Sequence, residues 1–205
     1  MHGTDLQPRQ APQQARSKAT IEKILRVSAE LLDEVGIDGF NTNLLAERAG
    51  IGVRAIYRYF PNKFAIVIAM AEELRHAERA WVGDLSKLSE YDDWRQAVDR
   101  SIDGYYNAAR TQRGYTALLA ATRAIPHIHE INEQESRKLQ AELAAGLRSL
   151  GVSLDKRHLD ALCRTVIESA EKILDSALRS PPAEAKLLVR ELKLMITNLL
   201  AAYLE

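Results

Sequence analysis

Cysteine is nearly absent: Cys163 is the only one in 205 residues, which excludes an internal disulfide and any cysteine-rich zinc site. Aromatic residues make up only 6%, and there is too little alternation of Val, Thr and Tyr for a sheet protein. There is no net charge, because 28 Lys and Arg meet 28 Asp and Glu. No global field therefore draws the chain to a polyanion, and affinity for nucleic acid or membrane must come from local asymmetry. No apolar stretch reaches the roughly 18 residues of a membrane span, and the N-terminus has Pro, Gln and Arg where a signal peptide carries its hydrophobic segment. A soluble, cytoplasmic protein is the expectation. A Gly-rich phosphate loop, a nucleophile elbow and paired carboxylates are also missing, and Glu34, Glu130 and Glu168 sit amid solvated helical faces. The sequence is accordingly read as neither an enzyme nor the holder of a cofactor. Pro126-His127-Ile128-His129-Glu130 has two histidines but no third ligand at a recognisable spacing, so no metal site is expected.

Apolar residues, at 46%, are plentiful enough for a sizeable core, and Ala, Leu, Glu, Arg and Lys recur throughout. An all-α chain of about nine helices follows. Residues 1–19, with four Gln, two Pro and Leu6 as the one bulky apolar side chain, read as a flexible arm. From Thr20 the apolar residues Ile21, Ile24, Leu25, Leu31, Leu32 and Val35 share a helical face that Gly36 ends. Two short segments follow, Thr42–Ala49 with Asn41 as its cap and Val53–Phe60 closed by Pro61, joined by Gly50-Ile51-Gly52. A short helix pair on a longer helix, joined by a Gly-containing turn, has the outline of a helix-turn-helix. Longer helices are then expected over 63–82, 91–109, 114–124, 129–150, 154–178 and 182–204, separated by Gly83, Thr111 to Arg113, Pro126, Gly151 and Ser180-Pro181-Pro182.

Within the helix pair, Leu45-Ala46, Ala49-Gly50-Ile51, Ile56-Tyr57, Tyr59-Phe60 and Asn62-Lys63 occur in order after the Glu34-Val35-Gly36 ending of the first helix. This segment closely resembles the N-terminal domain of the TetR family of bacterial transcriptional regulators. The resemblance implies an N-terminal helix-turn-helix domain, here 20–63, and a larger helical domain for effector binding and dimerisation, here 64–205. It also implies a repressor that binds operator DNA as a homodimer and is released by a small, mostly apolar ligand. A helical interaction protein that has lost DNA binding is the alternative. Gly52 departs from the family's usual Ser or Thr cap, Asn41 from its usual Thr, and Val53 and Arg54 from commonly polar and Gly positions.

The residues support DNA binding on their own terms. Between Asn43 and Lys63 four basic residues (Arg48, Arg54, Arg58, Lys63) face one acid, Glu47, a surplus of three positive charges in a neutral chain. Recognition helices present their first turn to base edges, which nominates Val53, Arg54 and Ala55, with Asn43 as a supplement and Arg54 able to grip guanine at two atoms. Tyr57 and Tyr59 are placed to donate to phosphate oxygens, Lys63 adds a point charge, and Thr42 starts a helix whose amides favour an anion.

In the last two helices the apolar stripes are wider than one contact needs, as in Leu159, Leu162, Val166, Ile167, Ile173 and Leu174 of 154–178 and Leu187, Leu188, Leu192, Met195 and Leu199 of 182–204. The resemblance implies that these two helices pair with their twofold mates in a four-helix bundle. It also implies an effector site enclosed by the four helices before them, for which Met70, Leu74, Trp81, Trp94, Tyr105, Tyr106 and Tyr115 provide an apolar lining and Arg123, His127 and His129 polar anchors. Cys163 lies on an apolar stripe and is expected to pack rather than to react.

Overall fold

Ala15-Arg16-Ser17-Lys18-Ala19 contains no Gly or Pro, and in the computed structural model helix α1 (Ala15–Gly39) already begins there rather than at Thr20. The structure describes the backbone of residues 15–112, 114–123 and 126–204, and within them the side chains of all but 15, 16, 81, 122, 123 and 126–132. Among these residues the elements after α1 are α2 (Thr42–Ala49), α3 (Val53–Tyr59), α4 (Lys63–Val82), a 3-10 helix (Leu85–Glu90), α5 (Trp94–Thr111), α6 (Tyr115–Arg123), α7 (Pro126–Ser149), α8 (Lys156–Arg179) and α9 (Pro182–Leu204). The described residues are all-α, as their sequence implies.

Several boundaries move for identifiable reasons. Gly36 interrupts α1 with φ of 63°, and one further turn carries the helix to Gly39. The helix expected over 91–109 starts at Trp94 instead, because Asp93 caps α5: its Oδ1 accepts from the Arg95 amide at 3.0 Å. Pro126, read as a breaker, is instead the first residue of α7, where its missing N–H costs nothing. Asp155 caps α8 in the same way as Asp93 caps α5, accepting from the His158 amide at 3.1 Å.

The chain divides into two compact units, and the division falls inside α4 between His76 and Ala77 rather than at Lys63. The first unit takes Met1–His76 and Gln112–His129, so α6 joins the helix-turn-helix; the second takes Ala77–Thr111 and Glu130–Glu205. In the first unit α1 packs on α2 and α6, and α2 packs on α3. Ile24, Leu31, Leu32, Phe40, Leu45, Ile56, Phe60 and Ile66 are essentially inaccessible, each contributing about 1.5–3 kcal/mol through burial.

The second unit is built on α8 and α9, with α5 across both and the 3-10 helix on α5. Leu147, Leu159, Cys163, Leu192 and Leu200 lie at its centre. Burial pushes the Cys163 thiol up to about 11, so it stays protonated and packs as a small apolar group. Lys193 of α9 pairs with Asp103 at 2.7 Å and Asp99 at 3.5 Å on α5. Gly146 sits in the interior of α7 because any Cβ there would lie 2.1 Å from the Leu85 carbonyl oxygen. That close approach explains a residue otherwise unfavourable in a helix.

Candidate nucleic-acid interface

Helices as short as α2 and α3, at eight and seven residues, do not persist alone and must be fixed by their ends and neighbours. Asn41 supplies the first fixture: its Oδ1 accepts from the Leu44 amide at 2.9 Å. Gly50 then closes α2 in the left-handed conformation, φ 61° and ψ 39°, with its amide directed to the Ala46 and Glu47 carbonyls. Gly52 precedes α3 without a side-chain cap, as its lack of a side chain dictates. At the far end Asn62 caps α4, accepting from the Ala65 amide at 2.9 Å.

Three side-chain contacts lock this frame. Thr42 Oγ1 and Tyr57 Oη lie 3.1 Å apart and tie the start of α2 to α3. Arg48 donates from both terminal nitrogens to the two carboxylate oxygens of Glu34, each at 2.9 Å, joining the end of α2 to α1. Lys63 Nζ donates to the carbonyls of Ile37 at 3.0 Å and Phe40 at 3.1 Å, joining the start of α4 to the end of α1. Spacings of 14 to 26 residues leave no local signature of these contacts in the sequence.

The expected DNA-contacting residues separate accordingly. Arg54 and Asn43 are exposed, Tyr57 retains 41% exposure, and Val53 and Ala55 are half-buried. No hydrogen bond or ion pair to another described side chain engages the exposed Arg54 guanidinium. Thr42 and Tyr59 depart from the expectation. Thr42 is buried, with its hydroxyl 3.1 Å from that of Tyr57. Tyr59 is 2% exposed, its ring lies under the Arg58 guanidinium, and its hydroxyl accepts from Arg58 at 2.6 Å, which makes it a core residue. Lys63 is half-buried and engaged by two carbonyls. Of the four cations counted in the segment, Arg48 is neutralised by Glu34, so the usable positive charge centres on α3 and is smaller than the count.

The residues expected at an effector site fall in both units. Met70, Leu74 and Tyr115 are buried in the first. Trp94 is buried in the core of the second, and the half-buried Tyr105 and Tyr106 pack against that core, with the Tyr105 hydroxyl donating to Glu78 at 3.3 Å. The side chains of Trp81, Arg123, His127 and His129 lie outside the described residues.

Comparison with known proteins follows this geometry. Residues 24–70 match the model for bacterial regulatory proteins of the tetR family, and 93–200 match that for the tetracyclin repressor-like C-terminal domain. The chain belongs to the TetR family. It is 30% identical over 131 residues to the class C tetracycline repressor protein of Escherichia coli, a match over 63% of this chain and 58% of that repressor. The match to the class A repressor from transposon 1721 covers 56% of that protein, so the chain spans a little over half the length of these curated relatives. A TetR-family regulator from Streptomyces coelicolor superposes with a TM-score of 0.60 at 25% identity, covering 89% of this chain and 98% of that one. A transcriptional regulator from Rhodococcus sp. Rha1 superposes with a TM-score of 0.69 at 17% identity, covering 91% and 98%, and so shares the all-α fold. No helix among the described residues is long and apolar enough to cross a membrane.

Proposed function

We propose that this TetR-family protein is a sequence-specific DNA-binding transcriptional regulator, a repressor that a small and mostly apolar ligand releases from its operator. The observation that carries the reading is the outer face of α3. Arg54 and Tyr57 are exposed there on a helix tied to α2 through the Thr42–Tyr57 contact, which supports the positioning that base-edge readout demands. Arg54 reads a guanine through O6 and N7, Asn43 supplements it, and Val53 and Ala55 lie against the groove floor. Tyr57 donates to a phosphate oxygen, because the phenol projects from the same short helix. Repression and ligand release are supported by the similarity to tetracycline repressor proteins.

One seven-residue reading helix covers one half-site, so the operator is addressed by two copies. The surface that joins them is on α9, where Leu187, Leu194 and Met195 form an exposed stripe, Leu187 and Leu194 at 55% and 53% exposure. The stripe lies away from the buried Ala185, Val189, Leu192, Ile196 and Leu200 of the same helix. On α8, Ile173 packs against the chain's own core and Leu174 is buried within it. The test is a gel-shift titration with duplexes covering the upstream regions of its own and adjacent genes at several salt concentrations. Specific retention of one duplex, with a negative salt slope, is expected. Equal affinity for every duplex, or none at low salt, sinks the reading.

A further inference from the structure

The end of α4 lies in the second unit and is tied there to α5 by two side chains. Ser101 donates to the Val82 carbonyl at 2.7 Å, and Tyr105 donates to Glu78 at 3.3 Å. Arg79, between Glu78 and Val82 in sequence, pairs instead with Glu142 of α7, one turn before Gly146. That pairing is incomplete. Arg79 Nη2 meets Glu142 Oε1, whereas Nη1 and Oε2 are buried with no hydrogen-bond partner among the described residues. The Arg48–Glu34 pair of the first unit shows the complete form of the same contact, with both nitrogens on both oxygens. Buried donors and acceptors in folded proteins are met by protein, water or ligand, because leaving them unmet is costly. The Arg79 and Glu142 side chains keep 34% and 26% exposure, so the pair is not sealed in although these two atoms are.

The chemistry of the two atoms dictates what completes the pair. Arg79 Nη1 requires an acceptor, and Glu142 Oε2 requires a donor. An anion that suits Arg79 is repelled by Glu142, and a cation that suits Glu142 is repelled by Arg79, so the missing group is neutral. A hydroxyl carries an O–H donor and acceptor lone pairs on one atom and meets both needs at once. An apolar body beside it finds Tyr105, which contacts the neighbour of Arg79, and Leu139, three residues before Glu142 and therefore on the same side of α7. Both are half-buried and pack on the core of the second unit. We propose that Arg79 and Glu142 together bind the hydroxyl group of a neutral phenol or alcohol, Nη1 donating to its oxygen and Oε2 accepting from its O–H. This names the class of the small, mostly apolar ligand and rests on the function proposed above in taking that ligand as the effector. The sequence does not nominate the pair, because 63 positions separate its members.

The experiment is titration calorimetry of the full chain without DNA, using para-ethylphenol, its saturated counterpart para-ethylcyclohexanol, the methyl ether para-ethylanisole and para-ethylbenzoate. The ether can accept from Arg79 but has nothing to donate to Glu142. At least one hydroxyl probe should therefore bind about tenfold more tightly than the ether, and which one does so tells a phenol from an alcohol. Glu142→Gln keeps the side-chain size and presents an amide donor in place of Oε2. It should hold the ether as before and reduce the hydroxyl preference to within about twofold. Arg79→Lys should weaken hydroxyl and ether probes alike, since both accept from Arg79. Equal affinity for hydroxyl and ether in the wild type, no binding of either hydroxyl probe at millimolar concentration, tighter binding of the benzoate, or a preference that survives in a folded Glu142→Gln overturns the proposal. If Glu142→Gln loses helical content by circular dichroism, a crystal structure of the wild type with the tighter hydroxyl probe decides. Its oxygen should lie within hydrogen-bond distance of both side chains, and an oxygen elsewhere overturns the assignment. A chain that retains no duplex in the gel shift overturns the regulator reading and leaves the hydroxyl site standing.

Discussion

Helices α2 and α3, at eight and seven residues, and helices α8 and α9, at 24 and 23, are held by different means. The long pair packs along its length and shares a continuous core running from Leu159 to Leu200. The short pair has few buried positions, and relies on Asn41, Gly50, the Thr42–Tyr57 contact and the Arg48–Glu34 pair. The difference teaches where specificity is affordable. A helix anchored at its ends and through a few polar groups can leave a whole face bare for a ligand as large as a duplex. A helix anchored by area cannot, since its apolar stripe must be covered.

The largest effects should break the long pair. Leu192→Ala removes a side chain that is 1% exposed and should cost about 2–5 kcal/mol, read from denaturant unfolding. Leu194→Ala, two residues on and 53% exposed, should leave the stability of the isolated chain within about 0.5 kcal/mol. Its effect should appear instead as weaker self-association in sedimentation. Similar stability losses for both variants would mean that the face bearing Leu194 is already covered within one chain.

The next effect tests the short pair. Lys63→Ala removes two charged hydrogen bonds to the end of α1, and should lower stability by about 1–3 kcal/mol. Because the ammonium is engaged by carbonyls, the salt dependence of DNA binding should barely change. A slope flattened by about 0.9 would show instead that Lys63 neutralises a phosphate. Arg54→Ala should behave oppositely. It should leave stability within about 0.5 kcal/mol while relaxing discrimination at one base pair per half-site by about 1–3 kcal/mol, measured with single-substitution duplexes.

The fold was largely legible because apolar spacing and helix punctuation are local. Asn41, Asn62 and Gly50 announce their roles within three or four residues of themselves, and the order of the helices followed from such marks. Roles set by distant partners were not legible. Tyr57 and Tyr59 are two residues apart and of one type, yet their different faces on α3 leave one phenol outside and the other in the core. Lys63 looked like a phosphate contact because nothing nearby in sequence offers it carbonyls; those belong to Ile37 and Phe40. Helix α6 joins the first unit by packing on α1, where Asp33 meets Gly114 from 81 positions away, a pairing that no periodicity connects.

The smallest effect sharpens the comparison most finely. Gly52 has φ of −68° and ψ of 140°, a conformation open to any residue, and nothing lies within 4 Å of the place a Cβ would take. Serine therefore fits without strain, and its hydroxyl can accept from an unbonded amide in the first turn of α3. Gly52→Ser should stabilise the protein by a few tenths of a kcal/mol. For a chain of this size that is a rise in Tm of about 1 °C in differential scanning calorimetry. The gain should be larger relative to its helix than any cap change on α9, because a seven-residue helix has little else to hold it. DNA affinity should stay level or rise slightly, since the substitution alters how often α3 is formed and not what it presents. A fall in Tm would show that the turn before α3 needs glycine for a reason outside the cap, and would weaken the view that α3 is limited by its ends.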